Sequence, residues 1–387
     1  MWYFVSPKIA FGDGALETLD ELKGRRALIV TDTSLVRLGL VGKVAAHLDK
    51  AGLSYRIFDA VQPDPDLVTV QAGAQLAQDE SPDWIIGLGG GSCLDAAKAI
   101  WILYERPDLD PAEINPFIEL GLRKKARLIT IPTTSGTGAE VTWAIVLTDT
   151  QARRKLGLGN RENVADIAIV DPELVAGLPP RLTASTGLDA LTHAIEGYTC
   201  TWHNDLTDGL CLQAAKLVMR YLPRAVADGA DREARERMHN AATMAGLGFG
   251  NALASLAHAT GHSLGAILHV PHGQAVGLCL PYTIEYIGAE ASERFAEMAA
   301  FLGVAPLDDA EAAPKLARRV RELCQTVGAP TSLADLGVVR DRFEGELEAL
   351  VEGAFSDGTM LTTARSPSYQ ELELIYRYMY EGKPIDF

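Results

Sequence analysis

Residues 84–98 read WIIGLGGGSCLDAAK, and their order decides the fold class. A short apolar run ends in a cluster of glycines, and an Ala-rich segment of helical character follows. Strand, glycine turn and helix in that order open a βαβ unit. Glycines at such a turn let the backbone approach a pyrophosphate, while the N–H groups and dipole of the helix start favour negative charge. Gly89, Gly90, Gly91 and Ser92 form the expected cradle. Asp95 and Lys98 stand in the next turn, on the side expected to reach a ribose or nicotinamide. For a glycine cluster alone, a tight turn without a ligand competes with this reading.

The same alternation extends outward on both sides. Ala27–Thr31 (ALIVT) reads as a buried strand, Leu35–Ala51 as a helix stopped by Gly52, Tyr55–Phe58 as a strand and Leu67–Asp79 as a helix. Arg127–Ile131, Trp143–Thr148 and Ile167–Val170 add strands, which predicts a mostly parallel sheet. A second loop, PTTSGTGAE at 132–140, follows one of these strands and offers the hydroxyls of Thr133, Thr134 and Thr137 beside two glycines. Ligands bind outside the carboxyl ends of parallel strands, so two such loops in one sheet favour a dinucleotide. Asp32 closes the strand ALIVT. Its carboxylate can accept from ribose hydroxyls and repel a 2′-phosphate, which favours NAD over NADP, although a helix N-cap explains it equally well.

After Pro179-Pro180 the texture changes to Ala- and Leu-rich segments with helical spacing. The double proline is read as the boundary between an α/β nucleotide-binding domain at 1–180 and an all-α domain at 181–387. So short a connection predicts packed domains with a cleft between them. The helical half holds Asp189 and His193 in DALTH, His258 and His262 in HATGH, and His272 in PHG. Residues four apart share one face of a helix, so two such pairs and a further histidine can surround one divalent ion. Imidazoles with a carboxylate and no thiolate suit iron(II) or zinc. Five candidates exceed a tetrahedral site, and spacing does not say which is spare. Glu196 is either an acceptor for an imidazole N–H or a surface charge. His47, His203, His239 and His269 lack a partner at helical spacing and read as surface or core histidines.

Composition limits the alternatives. A formal charge of −16 over 387 residues argues against nucleic acid and anionic membrane surfaces as partners. The five scattered cysteines fit a reducing cytoplasm. Neither a secretory pattern at the N-terminus nor an apolar run of membrane-spanning length is read, so a cytoplasmic protein is expected.

Four stretches, GGGSCLDAAK at 89–98, IPTTSGTGAEVT at 131–142, LPPRLTASTGLDALTHAIEGY at 178–198 and LAHATGHSLGAILHVPHG at 256–273, resemble the iron-containing (group III) alcohol dehydrogenases. The resemblance implies a dinucleotide-binding α/β domain followed by a helical metal domain. It implies Asp189, His193, His258 and His272 as ligands of Fe2+ or Zn2+, with His262 left to relay a proton or orient the substrate. By the same carry-over Asp32 meets the adenosine ribose and Asp64 stands in a Pro-Asp-Pro nearby. Gly90, Gly91 and Ser92 hold the pyrophosphate, Thr133, Thr134, Thr142 and Lys155 line the nicotinamide side, and Phe249 walls the substrate pocket. Relatives often carry Asn-Pro-Arg where this chain has Ala364-Arg365-Ser366-Pro367, and nothing beyond about residue 290 transfers.

The expected reaction is hydride transfer between a small primary alcohol or diol and NAD, in a homo-oligomer of two or more chains. A metal- and NAD-dependent sugar-phosphate cyclase or lyase similar to dehydroquinate synthase is the runner-up. It needs a basic cluster for phosphate that the metal motifs lack. A non-catalytic dinucleotide-binding protein with structural histidines is the third reading.

Overall fold

Six short strands pair in parallel: β1 (Lys8–Phe11), β2 (Arg26–Val30), β3 (Ser54–Phe58), β4 (Trp84–Gly89), β5 (Arg127–Pro132) and, after β6 (Ala144–Asp149) and β7 (Arg154–Gly159), β8 (Ile167–Val170). The structure is a computed structural model that describes residues 3–150, 154–304 and 308–387. The sheet order is β1-β8-β5-β4-β2-β3. Alternate residues of the central strands feed two apolar layers. Leu28, Val30 and Ile85 pack on one face, and Ala27, Ile29, Ile86 and Leu88 on the other. Burial on both faces explains why these strands read as continuous apolar runs rather than alternating ones.

Helices α1 (Thr33–Arg37), α2 (Leu40–Ala51), α3 (Leu67–Glu80) and α4 (Gly91–Glu105) connect the strands. The single helix expected over Leu35–Ala51 is two, because Gly39 at φ 75° breaks the chain between them. β1 was not foreseen; at four residues, with its end residues exposed, it carries little apolar signal. The strand expected over Trp143–Thr148 lies outside the parallel sheet. As β6 it pairs antiparallel with β7, Val146 opposite Gly157. Its burial alternates, Ile145 and Leu147 inward and Val146 outward, as suits a ribbon covered on one side only.

The chain falls into two units, Met1–Thr134 with Gly138–Gly177, and Ser135–Thr137 with Leu178–Phe387. The second contains α5 (Pro180–Thr199), α6 (Asp205–Ala227), α7 (Arg232–Ala252), α8 (Leu256–Leu268), α9 (His272–Ile287), α10 (Ser292–Phe301), α11 (Asp309–Thr326), α12 (Arg340–Phe355) and α13 (Tyr369–Glu381). No strand is found in it among the described residues. Arg365, in the segment Ala364-Arg365-Ser366-Pro367, donates to the carbonyl of Tyr286, lies 3.9 Å over its ring and pairs with Glu371. It fastens the end of α9 to α13. Among the described residues no helix is long and apolar enough to cross a membrane.

One expectation fails inside the first unit. Asp95 and Lys98 do not face outward to a ribose or nicotinamide. Lys98 is fully buried, and its Nζ donates to Ala144 O at 2.9 Å and lies 3.4 Å from Asp95 Oδ1 and 3.5 Å from Thr142 Oγ1. Asp95 Oδ2 accepts from Val146 N at 2.9 Å. From Cys93 to Glu105 α4 is buried on every side, so the polar side chains of that stretch reach only protein partners. Burial pushes the Lys98 ammonium down from its ordinary value, while Asp95 and Glu140 pull it up. The three residues tie α4 to β6, and Thr142, buried with its hydroxyl turned to Lys98, joins that tie rather than an open nicotinamide wall. Lys98→Met leaves Asp95 without its cation, so urea unfolding should reveal a loss of about 3 kcal/mol; a stability equal to wild type would show the tie to be unimportant.

Candidate metal centre and nucleotide cradle

In the first unit the glycine turn and the threonine loop stand side by side, because β4 and β5 are neighbours with Gly89 opposite Pro132. Thr133 N donates to Gly89 O at 2.9 Å. Gly89 adopts φ 151°, and a Cβ there would stand 2.6 Å from Cys93 Cβ, so no other residue fits. Gly90, Gly91, Ser92 and Thr134 remain half-buried at the start of α4, with a helix N-terminus behind them. Asp32, at the carboxyl end of the adjacent β2, caps α1 through Oδ1, which accepts from Ser34 N and Leu35 N at 2.6 and 3.1 Å. Among the described residues its Oδ2 accepts only from the Cys93 thiol, at 3.6 Å. The N-cap explanation is therefore realised, and one carboxylate oxygen still lies beside the cradle.

Other sequence-predicted nucleotide residues do not join this group. Asp64 and Lys155 pair with each other at 2.8 Å on the surface. Thr137 belongs with the helical unit.

The helical unit builds a second site. α5 is buried without interruption from Gly187 to Thr199, and Asp189, His193 and Glu196 lie along one face of it. α8 presents His258, and α9 begins at His272 directly after Pro271. The start of α9 can approach α5 only because residue 273 is glycine: a Cβ there would be 2.5 Å from Ser185 O and 3.1 Å from Asp189 Cβ. His272 Nε2 thereby reaches 3.4 Å from Asp189 Oδ1, with His258 Nε2 at 4.0 Å and His193 Nδ1 at 3.8 Å from the same oxygen. The Nε2 atoms of His193 and His258 are 3.0 Å apart. One ligand atom from each of these four residues lies within 4.8 Å of all the others.

The donor set fits a divalent ion. Asp189 Oδ1 is buried without a hydrogen-bond partner, which is costly unless a cation is to satisfy it. A four-coordinate ion with ligand bonds of about 2.1 Å spaces its ligand atoms about 3.4 Å apart, close to the separations here. Burial would raise the Asp189 carboxyl, but three imidazoles hold it well below the usual carboxylate range. Burial drives His193 down to about 3, leaving a neutral ring with a free lone pair. Phe249 stacks on that ring at 3.9 Å and 9°, fixing its plane. Its place is against His193, a candidate ligand, rather than along a substrate pocket.

Glu196 is buried, not a surface charge. Its Oε2 accepts from His258 Nδ1, and its Oε1 accepts from Ala257 N at 2.5 Å. The carboxylate thus places the proton on Nδ1 and turns Nε2 of His258 toward Asp189. His272, 40% exposed at its side chain, leaves one side of the group open. His262 lies outside the four, its ring 5.3 Å from that of His272 and its Nδ1 2.8 Å from Asp357 Oδ2. Asp357 was not foreseen: it is 95 residues from His262, and nothing local in the sequence marks it. Of the remaining histidines, His47 pairs with Asp20, His203 with Asp208 and His239 with Ser135, while His269 is exposed.

Comparison with known proteins agrees with a metal-dependent dehydrogenase. Residues 6–172 match the family described as iron-containing alcohol dehydrogenase, and residues 183–380 the C-terminal region of the Fe-containing alcohol dehydrogenase family. The chain therefore belongs to the iron-containing alcohol dehydrogenases, a family of oxidoreductases that implies a metal and a nicotinamide nucleotide, and the cyclase reading is not favoured. It is 40% identical to the NADPH-dependent butanol dehydrogenase of Clostridium saccharobutylicum over the full length of both. It superposes on a 1,3-propanediol oxidoreductase with a TM-score of 0.93 at 35% identity, covering 98% of this chain and 100% of that one. A sulfoacetaldehyde reductase from Bifidobacterium kashiwanohense, solved with NAD+, gives a TM-score of 0.88 at 30% identity, with 98% of each chain covered.

Glu196→Gln keeps the shape of the His258 contact but removes its charge. Chelator competition should show zinc affinity reduced about 10- to 100-fold, and wild-type affinity would exclude the carboxylate from orienting the ligand.

Proposed function

We propose that this chain interconverts a small primary alcohol or diol and its aldehyde with NAD(H), at a metal held by Asp189, His193, His258 and His272. The observation that carries the reading is the buried, unpartnered oxygen of Asp189 among three imidazoles. Fe2+ is the preferred ion on family grounds, and Zn2+ suits the same donors. When bound, such an ion supplies Lewis acidity to an alcohol or carbonyl oxygen.

The protein's own groups divide the remaining work. Glu196 and Phe249 fix the rings of His258 and His193, so the ligand set is ordered before any ion or substrate arrives. His262 stands beside the set, placed to exchange the hydroxyl proton, and a nicotinamide held by the first unit would supply the hydride chemistry. Gly89, Gly90, Gly91 and Ser92 take the pyrophosphate at the α4 N-terminus, with Thr133 and Thr134 beside them. The Oδ2 atom of Asp32 accepts from the ribose hydroxyls. That choice favours NAD over NADP, although the butanol dehydrogenase relative is NADPH-dependent. Asp64 and Lys155 are occupied with one another and lend no separate support. The five described cysteines, all free and buried, suit a reducing cytoplasm.

The test uses iron- or zinc-reconstituted protein, NAD+ and a panel of small primary alcohols and diols. NADH should accumulate in step with the aldehyde; a turnover without net NADH would point to an internally recycled cofactor instead. In the same assay Asp32→Gly should lower kcat/KM for NAD about 10-fold, the loss of one charge-assisted hydrogen bond, and raise it for NADP. An unchanged preference would remove Asp32 from the nucleotide site.

A further inference from the structure

Beside the four ligands lies a second constellation, in which His262 faces Asp357. The carboxylate is anchored first. Asp357 Oδ1 accepts from Thr359 N at 2.8 Å and from Thr359 Oγ1 at 2.7 Å, capping the short turn Gly358–Thr362. That turn is itself pinned: Thr201 N donates to Thr362 O at 2.9 Å, and Thr362 Oγ1 to Ala254 O. Oδ2 is left to face His262 Nδ1 at 2.8 Å. The carboxyl would rise with burial, but its bonds to His262 and Thr359 hold it down at about 2, so it is an acceptor only. The hydrogen between them therefore belongs to His262 Nδ1.

The opposite edge of the ring is bare. Among the described residues His262 Nε2 has no protein hydrogen bond, and it is absent from the buried orphan atoms; the side chain is 36% exposed. The ring lies 5.3 Å from that of His272 at 23°, and 5.6 Å from that of His258 edge-on. Its lone pair thus stands next to the open side of the ligand group.

We infer that Asp357 is the positioning residue for His262, holding the imidazole in the Nδ1–H tautomer so that Nε2 is the proton acceptor of the reaction. The inference rests on the alcohol dehydrogenase reading of the site. As the alcohol is oxidised, its O–H bond breaks and the proton goes to Nε2. The C–H pair leaves as hydride to the nicotinamide of NAD+, and a carbonyl forms. The imidazolium is stabilised by the Asp357 carboxylate and loses its proton to solvent. In the reductive direction the same ring delivers the proton. A carboxylate that orients a histidine without itself taking the proton plays the same part in serine hydrolase triads.

A capping role alone predicts a different outcome, and the two separate cleanly. Asparagine caps turns and helices as well as aspartate. In Asp357→Asn the amide oxygen keeps Thr359, while the amide NH2 can only donate to Nδ1. The hydrogen must then move to Nε2, and the ring can no longer accept from the alcohol.

The full-length, zinc-loaded protein, labelled with 15N-histidine, reads this directly; His262→Gln assigns the signal. Wild type should show His262 protonated at Nδ1, and Asp357→Asn should show it protonated at Nε2. Asp357→Asn should also lower kcat about 100-fold while zinc stoichiometry and KM stay within about twofold, and Asp357→Glu should recover much of the loss. In a His262→Gln background, Asp357→Asn should change kcat by less than about twofold. An Nε2–H tautomer in wild type overturns the inference whether or not any variant folds. So does full kcat in Asp357→Asn, or an undiminished effect without His262. A zinc-loaded wild type that shows the Nδ1–H tautomer but oxidises no alcohol would refute the dehydrogenase reading while leaving the Asp357–His262 orientation standing.

Discussion

A carboxylate oxygen that is buried, makes no hydrogen bond, and lies 3.4 to 4.0 Å from nitrogens of three imidazoles is the constraint on which the helical unit depends. An ionised group without a partner in the interior costs several kcal/mol, and the neighbouring imidazoles recover only part of that. A divalent cation would offset that cost, because it would satisfy the oxygen and the lone pairs of the imidazoles at once. Metal binding and the stability of this region would then be one equilibrium.

The surrounding sequence follows from that requirement. From Gly187 to Thr199 α5 is buried, so Asp189, His193 and Glu196 on it face protein groups, and residue 273, being glycine, adds no side chain that would keep α9 from it. Glu196 fixes the tautomer of His258 and Phe249 the plane of His193. The reach from Asp357 to His262 repeats the device, with a carboxylate again deciding which ring nitrogen carries hydrogen. In the first unit the parallel order of β2, β4 and β5 does comparable work, gathering Asp32, the glycine turn and the threonine loop at neighbouring strand ends.

Periodicity and local motifs made much of this legible. The glycine turn after Trp84–Gly89 and the i, i+4 pairs of the helical half need only short-range order, and short-range order is what spacing reports. Which of five candidates form the four-residue group was not legible from spacing, because it depends on where α9 starts relative to α5. Asp95 and Lys98 misled for a related reason: three residues apart just past a glycine turn, they look solvent-facing until α4 is found buried on every side. β1 was too short to register, and the β6–β7 ribbon was indistinguishable from a sheet strand because pairing partners are non-local. Asp357 lay beyond reach for the same reason: its partner comes from a distant helix, and the turn that aims it is fixed by packing.

Three imidazoles and the Asp189 carboxylate are proposed to form one divalent-ion site. X-ray absorption at the metal edge of the anaerobically reconstituted full-length protein tests it most directly, with metal content measured on the same sample. One ion per chain is expected, with a first shell of three nitrogens and oxygen, and it should be lost on Asp189→Ala. A sulfur-containing shell, or an ion retained at full stoichiometry by Asp189→Ala, would contradict it.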